Sequence, residues 1–195
     1  MSTLNGPLKI TVHLFLLSIL FCGTLGAQQY KIQNTNSSLT VSGTSSLHDW
    51  EEVAETYYGT LTLDKEGELL LKGLEITVKA ESLKSGKGGM DKNTYKALKT
   101  DTHKNIQFAL KEVKSSVKKS DTGHSLLILG TLSIAGVQKP VELPVELQIN
   151  GNTITITGSK KMLMTDFKID PPKALLGTIT TGDEIVIKYT IKATH

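Results

Sequence analysis

Apolar and polar positions alternate along most of this chain. In "SLTVSGTS", Leu39 and Val41 share one face. "YYGTLTLD" sets Tyr57, Gly59, Leu61 and Leu63 against Tyr58, Thr60 and Thr62. "GLEITVKAESL" sets Leu74, Ile76, Val78 and Ala80 against Glu75, Thr77 and Lys79. "NIQFALKEV" aligns Ile106, Phe108 and Leu110, and "VELPVELQIN" aligns Val141, Leu143, Val145, Leu147 and Ile149. "TITITGSKKM" and "EIVIKYTIKA" repeat the pattern. A period of two predicts half-buried strands, and threonine with β-branched aliphatics supports them. Loops are predicted between the runs, at Lys65–Glu68, Ser120–Gly123, Asn150–Thr153 and Thr181–Glu184. Asn150-Gly151, between two alternating runs, marks a tight hairpin. Pro144 interrupts its run, which predicts an edge strand or a bulge there.

One segment departs from this period. "GKGGMDKNTYKALKTDTHKN" has a glycine-rich entry, Asp91 as an N-cap, and Tyr95 and Leu98 at helical spacing. It predicts a short helix from Lys92 to about Thr100. Many short antiparallel strands with close turns favour an all-β barrel or sandwich over a parallel sheet. No linker or internal repeat interrupts the run of strands, so one domain is expected.

The start of the chain reads differently. Lys9 precedes an apolar run from Ile10 to Cys22, and the small residues Gly23, Thr24, Gly26 and Ala27 follow. This is the pattern of a cleaved secretory signal peptide, residues 1–27, and it places the protein in a periplasmic or secreted location. The run falls short of the roughly 20 apolar residues of a membrane span. Phe21 before Cys22 argues against a lipoprotein signal. The domain is then residues 28–195, long enough for a single core. Cys22 is the only cysteine and would leave with the signal, so stability has to come from packing rather than disulfides. The basic residues are all lysine, and without Lys9 they exceed the acids by two. That balance gives no nucleic-acid footprint.

Candidate chemistry is sparse. No Gly-rich phosphate loop, zinc-protease helix or nucleophile elbow is present. His48 and Asp49 are neighbours, so in a strand they face apart, while Trp50 shares the side of His48. His103, His124 and His195 are scattered, which argues against a metal site. Glu51-Glu52 and Asp183-Glu184 read as surface loops. Lys118-Lys119 and Lys160-Lys161 read as solvated faces with a mild attraction to anionic membrane surfaces. Neither a cofactor nor a metal is expected. With no arginine, a phosphate clamp would rest on lysine charges or on backbone N–H groups at "GKGGM", where Asp91 competes, so a neutral lipid head fits at least as well as a pyrophosphate.

Taken in order, "VSGTSSLHDWEE", "MDKNTYKALKTDTHKNIQFALKEV", "GTLSIAGVQKPVELPVEL" and "MTDFKIDPPKALLGTITTGDEIVIKYTIKA" resemble the YceI-like family of secreted bacterial lipid-binding proteins. Two positions depart from the family pattern: His103 stands where an aromatic is usual, and Gln138 replaces a threonine before Lys139-Pro140. The resemblance implies an extended, lipocalin-like antiparallel β-barrel with one short helix. It also implies that the barrel holds an isoprenoid-like or other amphiphilic lipid, and that the protein is not an enzyme. The residues alone favour a solid core over a cavity, and the resemblance reverses that for the barrel as a whole but not for any one residue. If a cavity exists, the expected ligand contacts are Leu61, Ile76 and Phe108 on strands, Met90, Tyr95 and Leu98 around the helix, and Met162, Met164 and Phe167 near the end of the chain. His48 and Trp50 would stand at the barrel end. Methionines suit an irregular lipid shape because the thioether chain is flexible. Two other readings remain open: a solid barrel acting through its surface, and an enzyme on a lipid or quinone using His48 or His103.

Overall fold

A computed structural model describes residues 27–64 and 70–195. The expected signal peptide, apart from its last residue, and the expected loop at Lys65–Glu68 lie outside the described residues.

The chain order is β1 (Gln28–Ser45), β2 (Trp50–Ala54), β3 (Tyr57–Asp64), β4 (Leu70–Lys79), β5 (Leu83–Lys84), α1 (Gly88–Leu98), β6 (Asn105–Lys118), β7 (Gly123–Ile134), β8 (Val137–Asn150), β9 (Thr153–Leu163), β10 (Lys173–Ala174) and β11 (Ile179–Thr194). Eight strands pair antiparallel around a closed ring, β1-β11-β9-β8-β7-β6-β4-β3, with β3 returning to β1. The short strands β2, β5 and β10 extend its margins. The expected all-β barrel with one short helix is therefore the fold found. Closure removes the exposed edges that an open sheet of this size would carry.

The long strand β1 is shared. Its first residues pair with β3, from Gln28↔Leu63 to Lys31↔Thr60, and its later ones with β2, from Thr40↔Val53 to Gly43↔Trp50. β2 and β3 together act as one broken strand. The break at Glu55-Thr56 is held by Ser82, whose hydroxyl accepts from Thr56 N–H at 3.1 Å and lies within hydrogen-bond reach of the Thr56 and Lys79 carbonyls.

Pro144 lies in β8 and pairs in register with Leu127 of β7. On the other side, the β8–β9 ladder runs only from Glu146↔Thr157 to Asn150↔Thr153. The edge expected at Pro144 is thus a seam in the wall, where a residue lacking an N–H has no ladder to break. Tyr189 of β11 bridges this seam, its hydroxyl donating to the Pro144 carbonyl at 2.6 Å. Burial pushes that hydroxyl's pKa up to about 12.

Three expectations change. The hairpin turn is centred on Gly151-Asn152, one residue later than read, because Asn150 still pairs with Thr153 and Gly151 takes the positive φ of 58°. Thr181–Glu184 is not a loop but part of β11, since Thr181 pairs with Ser45 of β1 and Glu184 with Leu163 of β9. The helix starts at Gly88 and ends at Leu98, and Asp91 does not cap it. Instead the Asp91 carboxylate accepts from Ser85 N–H at 2.9 Å and Ser85 Oγ–H at 2.6 Å, tying the preceding loop to the first turn. These bonds hold the Asp91 carboxyl below its ordinary range.

Candidate ligand cavity

The inward positions of the strands do not fill the barrel evenly. Where β1 begins and β11 ends, Tyr30, Leu61, Leu63, Leu147 and Ile154 are nearly or fully buried in one apolar cluster and do not line the cavity. Toward the other end the walls stop short of each other and leave a cavity of about 480 Å³. Its walls are Leu39 and Val41 of β1, Ile76 of β4, Phe108 of β6, Leu132 of β7 and Ile187 of β11, among others. That size lies within the ordinary range of small-molecule sites.

α1 covers this end. Met90, Asn93, Thr94 and Ala97 all line the cavity, and their i, i+3, i+4, i+7 spacing makes them one helical face. The segment Met164–Phe167, a single 3-10 turn, closes another part of the rim with Met164 and Phe167. Asp183 fastens it, accepting from Thr165 N–H at 2.9 Å and Thr165 Oγ1–H at 2.6 Å. These bonds, the hydroxyl first, hold the Asp183 carboxyl below its ordinary range.

Two inward glycines make room for aromatic rings. A side chain at Gly43 would meet Trp50 Cζ2 at 2.5 Å, and one at Gly130 would meet Phe108 Cζ at 2.2 Å. Each ring therefore lies over the wall of the neighbouring strand. The Trp50 indole N–H donates to the Thr44 carbonyl at 3.0 Å, which satisfies its one polar atom.

Of the residues expected to contact a ligand, His48, Trp50, Ile76, Met90, Leu98, Phe108, Met162, Met164 and Phe167 line the cavity. Leu61 does not, because it sits in the filled end of the barrel at 1 % exposure. Nor does Tyr95: its hydroxyl turns away to the Glu81 and Leu83 carbonyls, at 2.8 and 3.1 Å, and accepts from the Lys84 ammonium. The spacing of Tyr95 and Leu98 identified a helix but assigned Tyr95 to the wrong face. His48 lies in the loop before β2 rather than in a strand, so strand alternation does not set its direction. Its ring Nδ1 lies 2.7 Å from the backbone carbonyl of Asp49, and its side chain is exposed at the mouth while Trp50 is half-buried.

Two lining residues were misread as surface. Glu52 shares the inward face of β2 with Trp50 and Ala54 and is 2 % exposed. Its Oε1 accepts from the Thr94 hydroxyl at 2.5 Å. Burial pushes its carboxyl above the ordinary range, the Thr94 hydrogen bond opposes this, and the nearby Asp91 charge adds to it. Lys160 follows Ile154, Ile156 and Gly158 on the inward face of β9 and lines the cavity, while Lys161 faces out to Glu184 at 2.9 Å. In both cases strict alternation from the neighbours, Trp50-Glu52-Ala54 and Ile156-Gly158-Lys160-Met162, carried the signal, and the charge concealed it.

Among the described residues no group of three or more His, Cys, Asp or Glu is placed to hold a metal ion. His103 packs over the β7–β8 turn, where a side chain at Gly136 would meet its ring at 2.5 Å.

The barrel is similar in shape to several solved structures. Burkholderia cenocepacia BcnA aligns with a TM-score of 0.67 at 17% identity, covering 84% of this chain and 99% of that one. A polyisoprenoid-binding domain from Saccharophagus degradans aligns with a TM-score of 0.66 at 12% identity, covering 85% and 97%. The Campylobacter jejuni YceI protein aligns with a TM-score of 0.57 at 20% identity, covering 72% and 82%. No curated protein matches the sequence. The YceI-like domain model matches residues 30–193, nearly the whole barrel from β1 to β11, and the chain belongs to that family.

Proposed function

We propose that this protein is an exported, non-enzymatic lipid-binding protein that holds the tail of an isoprenoid-like amphiphile inside the barrel. The observation that carries this is the apolar cavity of about 480 Å³ enclosed by the strands and roofed by α1. Burying a tail there is worth about 25 cal/mol per Å² of apolar surface before the costs of association. The Saccharophagus degradans domain of the same shape is described as polyisoprenoid-binding, which supports the ligand class. A carrier role rather than catalysis is supported by the two histidines first considered, His48 and His103. Neither has a carboxylate side chain as a hydrogen-bond partner among the described residues.

Exchange with a bilayer surface fits the mouth. Leu47, Leu175 and Leu176 are exposed, Leu176 fully, on loops joined where Ser46 N–H donates to the Thr180 carbonyl at 2.9 Å. Lys87 and Lys173 line the same opening, and lysines attract anionic head groups. An export signal at residues 1–27 would deliver the protein to such a surface from the periplasmic or outer side.

The test is native mass spectrometry of the protein purified from its own host, followed by extraction and identification of the bound lipid. A retained mass that extracts as an isoprenoid-like lipid supports the proposal. A barrel that is empty on isolation and takes up no isoprenoid added later defeats it. A second reading, a solid barrel working through its surface, loses support because the interior is not filled.

A further inference from the structure

Glu52 is the only acidic residue among the described residues that line the cavity. It is buried, and the Thr94 hydroxyl supplies the single hydrogen bond to its carboxyl among the described residues. No lysine comes within ion-pair distance of it among the described residues. In register, Glu52 faces Val41, Val41 faces Ile187, and Ile187 faces Lys160. Three strand spacings separate Glu52 from Lys160, about 14 Å along the wall. The two polar groups thus stand on one level of the barrel without touching.

We propose that Glu52, steadied by Thr94, is the head-group anchor of the cavity, and that its carboxyl hydrogen-bonds the hydroxyl or carbonyl oxygen of an uncharged head on the bound amphiphile. This rests on the lipid-binding reading above and names the head that such a lipid carries. A carboxylate removed from water with no counter-charge takes up a proton rather than stay ionised. The upward displacement of its pKa by burial agrees with this. A neutral carboxyl with one oxygen engaged by Thr94 has an O–H to offer from the other.

The charges around it exclude an anionic head at this position. Asp91 on α1 adds negative potential from the roof. Lys84 on β5 donates to the Tyr95 hydroxyl and is not among the residues that line the cavity. Lys87, Lys173 and His48 are exposed at the mouth, and Lys160 is three strands away. A phosphate drawn in by those lysines would stop short of Glu52. An uncharged oxygen can go past them.

The experiment compares C20 probes with the same branched carbon skeleton: geranylgeraniol, geranylgeranyl diphosphate and the headless, saturated hydrocarbon phytane. Each variant's alcohol-to-phytane ratio is read against that of wild type, so that the difference in saturation cancels. They are titrated into the wild-type protein and into E52L, E52Q and T94V, with circular dichroism confirming the fold. The expected result is that E52L weakens geranylgeraniol by about fivefold to tenfold relative to phytane, the loss of one hydrogen bond in a buried site. E52Q, which keeps a donor, should stay within about twofold of wild type, and T94V should fall between. Wild type should prefer the alcohol to the diphosphate. An unchanged alcohol-to-phytane ratio in E52L, or in T94V if E52L does not fold, overturns the anchor while phytane binding leaves the lipid reading intact. Tighter binding of the diphosphate than of the alcohol also overturns it. If wild type binds none of the three, the lipid reading falls and this inference with it.

Discussion

The two ends of the barrel are built from the same kinds of residue and do opposite things. At the filled end Tyr30, Leu61, Leu63, Leu147 and Ile154 are nearly or fully buried members of one apolar cluster. Tyr30 adds an edge-on contact with His195 at 5.8 Å between ring centres. At the open end aliphatics line the wall as well, but the rings of Trp50 and Phe108 lie along it instead of across it. Gly43 and Gly130 are what allow this, since each leaves the surface over which Trp50 or Phe108 lies. The helix roof contributes Ala97 and Thr94 where a larger side chain would hang into the space. A cavity here is thus a matter of where the bulk is directed. A lack of apolar residues is not the cause.

The largest test of this contrast is truncation at the two ends. Leu61→Ala opens a void in packed surroundings and should cost about 3 kcal/mol or more in urea unfolding. Ile76→Ala removes atoms that already border empty space, so the cost should be nearer about 1 to 2 kcal/mol. Equal losses would show that the two ends are packed alike in solution. Filling is the converse. Ala97→Phe should leave the fold intact but reduce lipid affinity by at least about tenfold, a loss that 1.4 kcal/mol would account for. Unchanged uptake would place the lipid elsewhere.

Glu52 sharpens the comparison by pH. Its carboxyl is raised above the ordinary range, so its contribution to stability is fully present below that range and is lost as pH rises through the raised value. Glu52→Gln should therefore stabilise the protein near neutral pH by about 1 kcal/mol and flatten the fall in stability between mildly acidic and neutral pH. A melting-temperature profile against pH for both proteins checks this, and parallel profiles would count against the burial of an unpaired carboxyl. The sign is opposite for Asp183, which Thr165 holds below the ordinary range. Its stabilisation is present above that range and lost as pH falls through the lowered value. The smallest expected effect is local: Asp183→Asn should speed hydrogen exchange at Met164–Phe167 and leave the filled end unchanged.

Much of the barrel could be read from alternation alone, because Leu39, Val41, Phe108 and the even-numbered residues of β9 follow it without exception. The cavity could not. Ile154 and Ile187 are the same residue type on inward faces, yet one fills space and the other borders it. Their difference lies in what stands across the barrel, which no local pattern encodes. The helix was located, but its lining face includes Asn93 and Thr94, and a period search on apolar residues favours Tyr95 instead. Glu52 and Lys160 were concealed for a related reason. Charge ordinarily marks the outside, and these two inward positions break that rule.

The seam between β8 and β9 sets how the wall responds to what it holds. A fully laddered ring has a girth fixed by its hydrogen bonds, about 4.8 Å per strand. Above Glu146↔Thr157 this ring is joined instead by one tyrosine hydroxyl on the Pro144 carbonyl and by the Lys139–Asp166 ion pair at 3.6 Å. Widening there would break no ladder bond between β8 and β9, whereas widening at the far end would. For the lipid tail proposed above, making room at this seam would cost these two side-chain contacts rather than a row of backbone bonds.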